Sequence, residues 1–181
     1  MMIHQLRRAL ALGSLMLPLA ACSQESELPP VASAQISGYN HTPQHIGQYY
    51  IDGQRGGNIY AYEGGGSFVC CITYPRQWRN GLNATVKWTT SSSNPADPRV
   101  QTWHEKIVPI ERYENTGTTL NVHFLPNSEV RLIVTDMSAK HPDYTGPAAP
   151  APPSGWPPWR RSEQTPTSPA NVDTVRPPRI P

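Results

Sequence analysis

The sequence predicts an all-β domain, an antiparallel β-sandwich or open barrel. Three observations carry this. Short runs with period-2 alternation recur between residues 35 and 136. Glycine, proline and asparagine punctuate them at turn-like intervals. No twelve-residue window of the exported chain shows a helical apolar stripe. Side chains of a strand alternate between its faces, so alternation marks a strand with one face in a core.

In order, the expected strands are Gln35–His41, Ile46–Asp52, Asn58–Glu63, Phe68–Tyr74, Leu82–Trp88, Thr102–Ile110, Thr119–Leu125 and Glu129–Thr135. Leu82, Ala84, Val86 and Trp88 alternate with Asn83, Thr85 and Lys87, a half-buried strand. Phe68–Tyr74 is the densest apolar run and reads as the central strand. Gly64-Gly65-Gly66-Ser67 before it reads as a tight turn with close backbone approach, since no Gly-Lys-Ser/Thr and no helix follow. Pro126-Asn127-Ser128 predicts a hairpin between the last two strands. The i, i+4 spacing of Trp103 and Ile107 leaves room for one short helix near Pro98–Lys106.

The flanks differ in composition. His4, Arg7 and Arg8 precede the apolar run Ala9–Leu19, too short for a bilayer that needs about 20 apolar residues. Leu19-Ala20-Ala21-Cys22 then reads as a lipobox: residues 1–21 are a signal peptide and Cys22 is acylated, with palmitate among the chains. Ser23 suits the inner leaflet of the outer membrane, facing the periplasm. Residues 22–34 read as a tether, 35–144 as the β domain and 145–181 as a disordered proline-rich tail, with Trp156 and Trp159 able to dock back. Eleven of the 21 prolines lie between Gly146 and Pro181, and proline removes backbone donors.

The whole chain has 15 basic and 13 acidic residues. Removing Arg7 and Arg8 leaves 15 − 2 = 13 basic against 13 acidic, formally neutral. That argues against nucleic acid as a partner and against a polybasic membrane patch.

No catalytic residues are legible. Gly-x-Ser-x-Gly, Cys-x-x-Cys and His-Glu-x-x-His are absent, so no cofactor and no metal is expected. An enzyme would need His104, Glu105, His123 or Asp143 to converge in a pocket. His141-Pro142-Asp143-Tyr144 reads as a turn. Cys70 and Cys71 would face opposite sides of a strand, and they bond to each other only by leaving strand geometry. Buried thiols, a disulfide between neighbours, and a metal or redox role stay open. Tyr60, Tyr62, Arg76, Trp78 and Arg79 are expected to form one aromatic, basic binding surface beside the glycine turn.

The ordered series Ser37-Gly38-Tyr39-Asn40-His41-Thr42, Gly64 to Cys71, Trp78 to Trp88, Val108-Pro109-Ile110, Val122 to Pro126 and His141 to Tyr144 resembles a domain family of unknown function in proteobacterial lipoproteins. The resemblance covers roughly Ile36 to Tyr144. It implies an immunity lipoprotein that neutralises a type VI secretion phospholipase effector in the periplasm, so its partner is a secreted lipase and it is not itself an enzyme. The competing expectation is an envelope structural or assembly lipoprotein that uses its proline-rich tail as spacer or ligand.

Overall fold

The computed structural model describes residues 29–98 and 100–157. The expected signal peptide, Cys22, most of the expected tether, Trp159 and the rest of the expected tail from residue 158 lie outside the described residues. The strands are β1 (Val31–Asn40), β2 (His45–Ile51), β3 (Gln54–Arg55), β4 (Val69–Pro75), β5 (Asn83–Ser91), β6 (Thr102–Pro109), β7 (Thr119–Leu125) and β8 (Glu129–Thr135). They form two four-stranded sheets, β4-β1-β7-β8 and β3-β2-β5-β6, which do not close into a barrel.

The core lies between the sheets and follows the alternation. Ala34, Ile36, Ile72, Tyr74, Leu120, Val122, Phe124, Val130, Leu132 and Val134 point inward from the first sheet. Ile46, Tyr49, Ile51, Ala84, Val86, Trp88 and Val108 meet them from the second. Burying one such large side chain contributes about 1.5–3 kcal/mol. The expected hairpin forms: β7 and β8 pair antiparallel from Thr119↔Thr135 to Leu125↔Glu129, across a short 3₁₀ turn at Pro126–Ser128.

Several boundaries differ from the sequence reading. The first strand begins at Val31, inside the expected tether, because Ala32 and Ala34 pair with Tyr74 and Ile72. β1 also pairs with β7 in parallel, Gln35↔Thr119 to Asn40↔Phe124, a departure from antiparallel order. Asn58–Glu63 is a loop that touches β2 at one bridge, Ile46↔Ile59, and Tyr62 has φ 55. Residues Thr102–Pro109 are a strand and not a helix. Trp103 and Ile107 share a face there too, since any even spacing does so on a strand. Both are exposed, on the outer face.

Phe68–Tyr74 is not central. β4 is an edge strand, and Phe68 lies outside it at 60 % exposure. The strands buried on both faces are β1 and, above all, β7. Cys70 and Cys71 form a disulfide with each other, across a cis peptide bond. The ladder explains how: pairing runs Ala34↔Ile72 and then Ile36↔Val69, so the two cysteines bulge opposite the single residue Gln35. Cys70 is exposed and Cys71 half-buried, which corrects the buried-thiol reading. The glycine turn serves close approach as expected. Gly64 bridges Tyr39 at φ 149, Gly65 N–H donates to Gly38 O at 3.0 Å, and a Cβ on Gly64 would run into that backbone.

The sandwich therefore has two distinct ends. The root end holds Val31, Pro75, Asn83, Pro109 and Thr135. The loop end holds Asn40, His45, Ser91, Leu125 and Glu129. After Thr135 the chain returns along the outer face of the first sheet as a strap. Asn121 donates to Met137 O at 3.0 Å, and Ala139 N–H donates to Tyr39 Oη at 3.2 Å. Trp156 ends it edge-to-face on Tyr62, ring centroids 4.7 Å apart. The folded part thus runs past residue 144, to residue 156 at least.

The disulfide closes a loop with no residue between the cysteines. Chain-entropy stabilisation is then near its minimum, about 1 kcal/mol or less. Replacing both cysteines by serine should shift the urea unfolding free energy by no more than that. Alkylation with and without reductant, read by intact mass, should show Cys70 and Cys71 blocked until reduction.

Candidate functional site

The loop end is where shape and chemistry concentrate. A groove of about 320 Å³ opens there between the sheets. Ile46, Trp88 and Phe124 reach it from three strands, and Thr42–Gln44 and Pro126–Glu129 line it from two loops. Both loops are held rigidly. Asn127 and Ser128 have φ 60 and 57, a left-handed pair of non-glycine residues. Each such residue costs about 1–3 kcal/mol, and the tight β7–β8 connection holds them there.

The other loop is held by Asn40, which is 0 % exposed. Its amide nitrogen donates to Gln44 O at 2.6 Å and Tyr60 O at 3.1 Å. Its oxygen accepts from Thr42 N–H at 3.0 Å and Thr42 Oγ1 at 2.7 Å. One buried amide therefore ties residues 42–44 to residue 60. Sequence reading passed over it, because an asparagine before a turn is ordinary and its distant partner, Tyr60, is invisible locally.

Beside the groove, on the outer face of the first sheet, runs a polar chain. His41 Nε2 lies 2.9 Å from His123 Nδ1, and His123 Nε2 lies 2.7 Å from Tyr144 Oη. Tyr39 stacks on His123 at 4.6 Å. Each neutral imidazole has one N–H, so the bonds run in one direction: His41 to His123 to Tyr144, or the reverse. Burial lowers the His123 pKa from 6.5 to about 3, and the nearby His41 and Arg131 add to this. Burial also lowers that of His41 and raises that of Tyr144 to about 12. The chain is neutral at pH 7. Arg131, paired with His123 across the ladder, is held by Glu111 through two bonds of 2.6 and 2.9 Å.

The expected binding surface does not form as one patch. Tyr60 stacks on His45 at 5.0 Å and Tyr62 meets Trp156, both at the loop end. Arg76, Trp78 and Arg79 lie at the root end, past the far end of β4. From Tyr39, beside Gly64, to Val31, beside Pro75, β1 spans eight residue steps, about 26 Å at roughly 3.3 Å each. Trp78 donates to Ile110 O at 3.0 Å, and Arg79 is exposed.

The four groups named for an enzyme do not converge. His104 points inward from β6, stacks on Trp88 at 5.1 Å and bonds Thr90 Oγ1 at 2.9 Å. Glu105 pairs with Lys87 on the outer face of that sheet. His123 lies under the strap, and Asp143 is exposed beside His141 in the expected turn. Among the described residues no group of three or more His, Cys, Asp or Glu is arranged to hold a metal ion.

A family model described as "Protein of unknown function (DUF3304)" matches residues 39–132, just over half of the chain. The chain belongs to that family. The DUF3304 match takes in Asn40, both loops of the groove, His41 and His123. Tyr144, the strap and the start of β1 fall outside it. No curated protein and no solved structure matches the chain.

Two outcomes follow. Asn40→Ala leaves buried carbonyls and the Thr42 donors without partners, so it should lower stability by about 2–4 kcal/mol in urea unfolding. The second concerns pH. Unfolded imidazole binds a proton near 6.5 and folded His123 only near 3, so the unfolded state binds more protons between these values. Stability is then complete above about pH 6.5 and falls as pH falls, by about 2–3 kcal/mol at pH 4.5. His123→Gln should flatten that part of the profile.

Proposed function

We propose that this protein is a lipid-anchored, periplasm-facing binding protein that neutralises a secreted phospholipase by occluding it with the loop end. The observation that carries the reading is the place of the groove. It lies at the end of the sandwich opposite the one where the chain enters from Cys22. β1, ten residues long, sets the two ends roughly 30 Å apart. An acylated Cys22 would hold the root end toward the outer-membrane inner leaflet and turn the groove to the periplasm. The groove supplies an apolar floor and rigid polar rims, as a tight protein contact needs. The lipobox supports the anchor, and the lipoprotein resemblance supports the phospholipase as target.

Two measurements test this. Labelling with a palmitate analogue should mark the chain and fail for Cys22→Ser. Cross-linking in the native periplasm, followed by mass spectrometry, should recover one secreted lipase. Gln44→Arg and Glu129→Arg, which line the groove, should weaken that capture by about tenfold or more, as expected for bulk and charge placed where a partner's surface must be desolvated. Ile107→Arg, on the far sheet face, should not. Survival of cells lacking the protein beside an active effector would overturn the reading.

The structural or assembly role has one observation in its favour. Trp156, near the end of the described residues, packs on Tyr62 at the loop end, farthest from the root. Truncation after Pro157 separates the two readings. Lipase capture should survive it, whereas a spacer or ligand role for the tail should be lost.

A further inference from the structure

Arg76 decides where the chain leaves the domain toward Cys22. Its backbone N–H donates to Pro30 O at 2.9 Å, and its guanidinium donates to Pro29 O at 2.8 Å and Val31 O at 3.5 Å. The exit of the chain is thus clamped at the root end. Cys22 to Leu28 are the seven residues before that exit, and seven residues reach at most about 25 Å. Any surface to which Cys22 is anchored lies within that distance of the root end.

The groups around the exit suit such a surface. Trp78 is half-buried against the core edge, and its indole N–H is fixed on Ile110 O. The Arg112 guanidinium sits 5.9 Å from the centre of its ring. Arg79 is exposed next in the chain, and its charge is felt by the buried phenol of Tyr113. Val31, at the exit itself, is 47 % exposed. The acidic groups of this end are Asp52, Glu111, Glu114 and Asp136, and Glu111, between Ile110 and Arg112, is paired with Arg131. Asp52 accepts from Thr85 N–H at 2.7 Å, and Asp136 accepts from Thr118 N–H and Oγ1 at 2.7 and 2.8 Å. Glu114 is exposed. The arginines therefore flank the tryptophan while three of the four carboxylates are engaged elsewhere, two by Thr85 and Thr118 and one by Arg131.

From this we infer that the root end, centred on Trp78 with Arg76, Arg79 and Arg112, is a contact surface for the headgroups of an anionic phospholipid bilayer. Guanidinium groups bond phosphate oxygens in a planar fork. An indole with one polar and one apolar edge belongs at the boundary between headgroup and acyl chain. The overall neutrality of the exported chain argues against a polybasic patch, but three arginines around one indole form a local contact, and it is the local distribution of charge that a bilayer meets. The contact would hold the domain upright on its anchor and orient the groove away from the membrane. The inference takes its setting from the anchored reading, but its test does not depend on acylation.

The experiment uses residues 22–181 carrying Cys22→Ser, sedimented with vesicles of phosphatidylglycerol and phosphatidylethanolamine or of phosphatidylcholine alone. Binding to the anionic vesicles should exceed that to phosphatidylcholine by about tenfold or more at low salt, and should fall at high salt. Arg79→Glu with Arg112→Glu should remove that excess, with the thermal unfolding midpoint confirming a folded domain. Lys87→Glu, on the outer face of the other sheet, should leave the excess intact. Trp78→Phe should abolish the fluorescence change on adding anionic vesicles. Equal binding to both vesicle types, an unaffected double arginine variant, or an equal loss with Lys87→Glu would each overturn the inference. So would competition by inorganic phosphate at concentrations that leave ionic strength unchanged, which would assign the site to free anions. Failure of palmitate labelling would count against the anchor alone.

Discussion

The burial of β7 on both faces is the constraint on which the rest of the structure depends. Leu120, Val122 and Phe124 face the second sheet, and Asn121 and His123 face the other way. A strand with polar residues on its outer face would ordinarily leave them to water. Here the strap covers them and supplies some of the partners that water would otherwise offer. His123 finds two, in His41 and Tyr144, and Asn121 reaches the Met137 carbonyl. On the parallel partner β1 the outer face is buried too. Ser37 and Tyr39 on its outer face are buried, and Tyr39 serves both as a lid on His123 and as an acceptor for the strap.

The strap gives the sandwich its polarity. It leaves the root end after β8, crosses the outer face of the first sheet and finishes at the loop end against Tyr62. Among the described residues no such strap covers the second sheet, and its outer face carries Trp103 and Ile107 in the open. The two ends differ as well. The loop end is organised by buried hydrogen bonds to Asn40 and by a left-handed turn, which make rigid rims around an apolar groove. The root end is organised by Arg76, which clamps the entry of β1, and by Trp78 on Ile110. One end is an apolar groove between two loops, and the other is a clamp on the entering chain.

Much of this was legible residue by residue. Alternation in Leu82–Trp88 assigned each side chain of that strand to its proper face. The Pro126-Asn127-Ser128 hairpin was read from its turn residues, and the glycines at 64 and 65 do allow close backbone approach. The candidate sites were read less well, and for a common reason. Closeness in sequence stood in for closeness in space. Tyr62 and Trp78 flank one strand, so they seem to belong together, yet a strand separates what it connects. His41, His123 and Tyr144 are scattered along the chain, yet adjacent positions on β1 and β7 and a returning strap bring them within hydrogen-bonding distance.

The sequence by itself determined the all-β class, the faces of the strands and the turns between near neighbours, because these depend on periodicity and on the backbone preferences of a few residues. Tertiary structure alone decided that β1 lies parallel to β7, that β4 is an edge, that neighbouring cysteines bulge out of a ladder to bond, and that two ends of one sandwich carry different chemistry. Alternation reports which face of a strand is buried. It carries no information about which distant strand lies beside it, and that choice is made by the packing of the whole core.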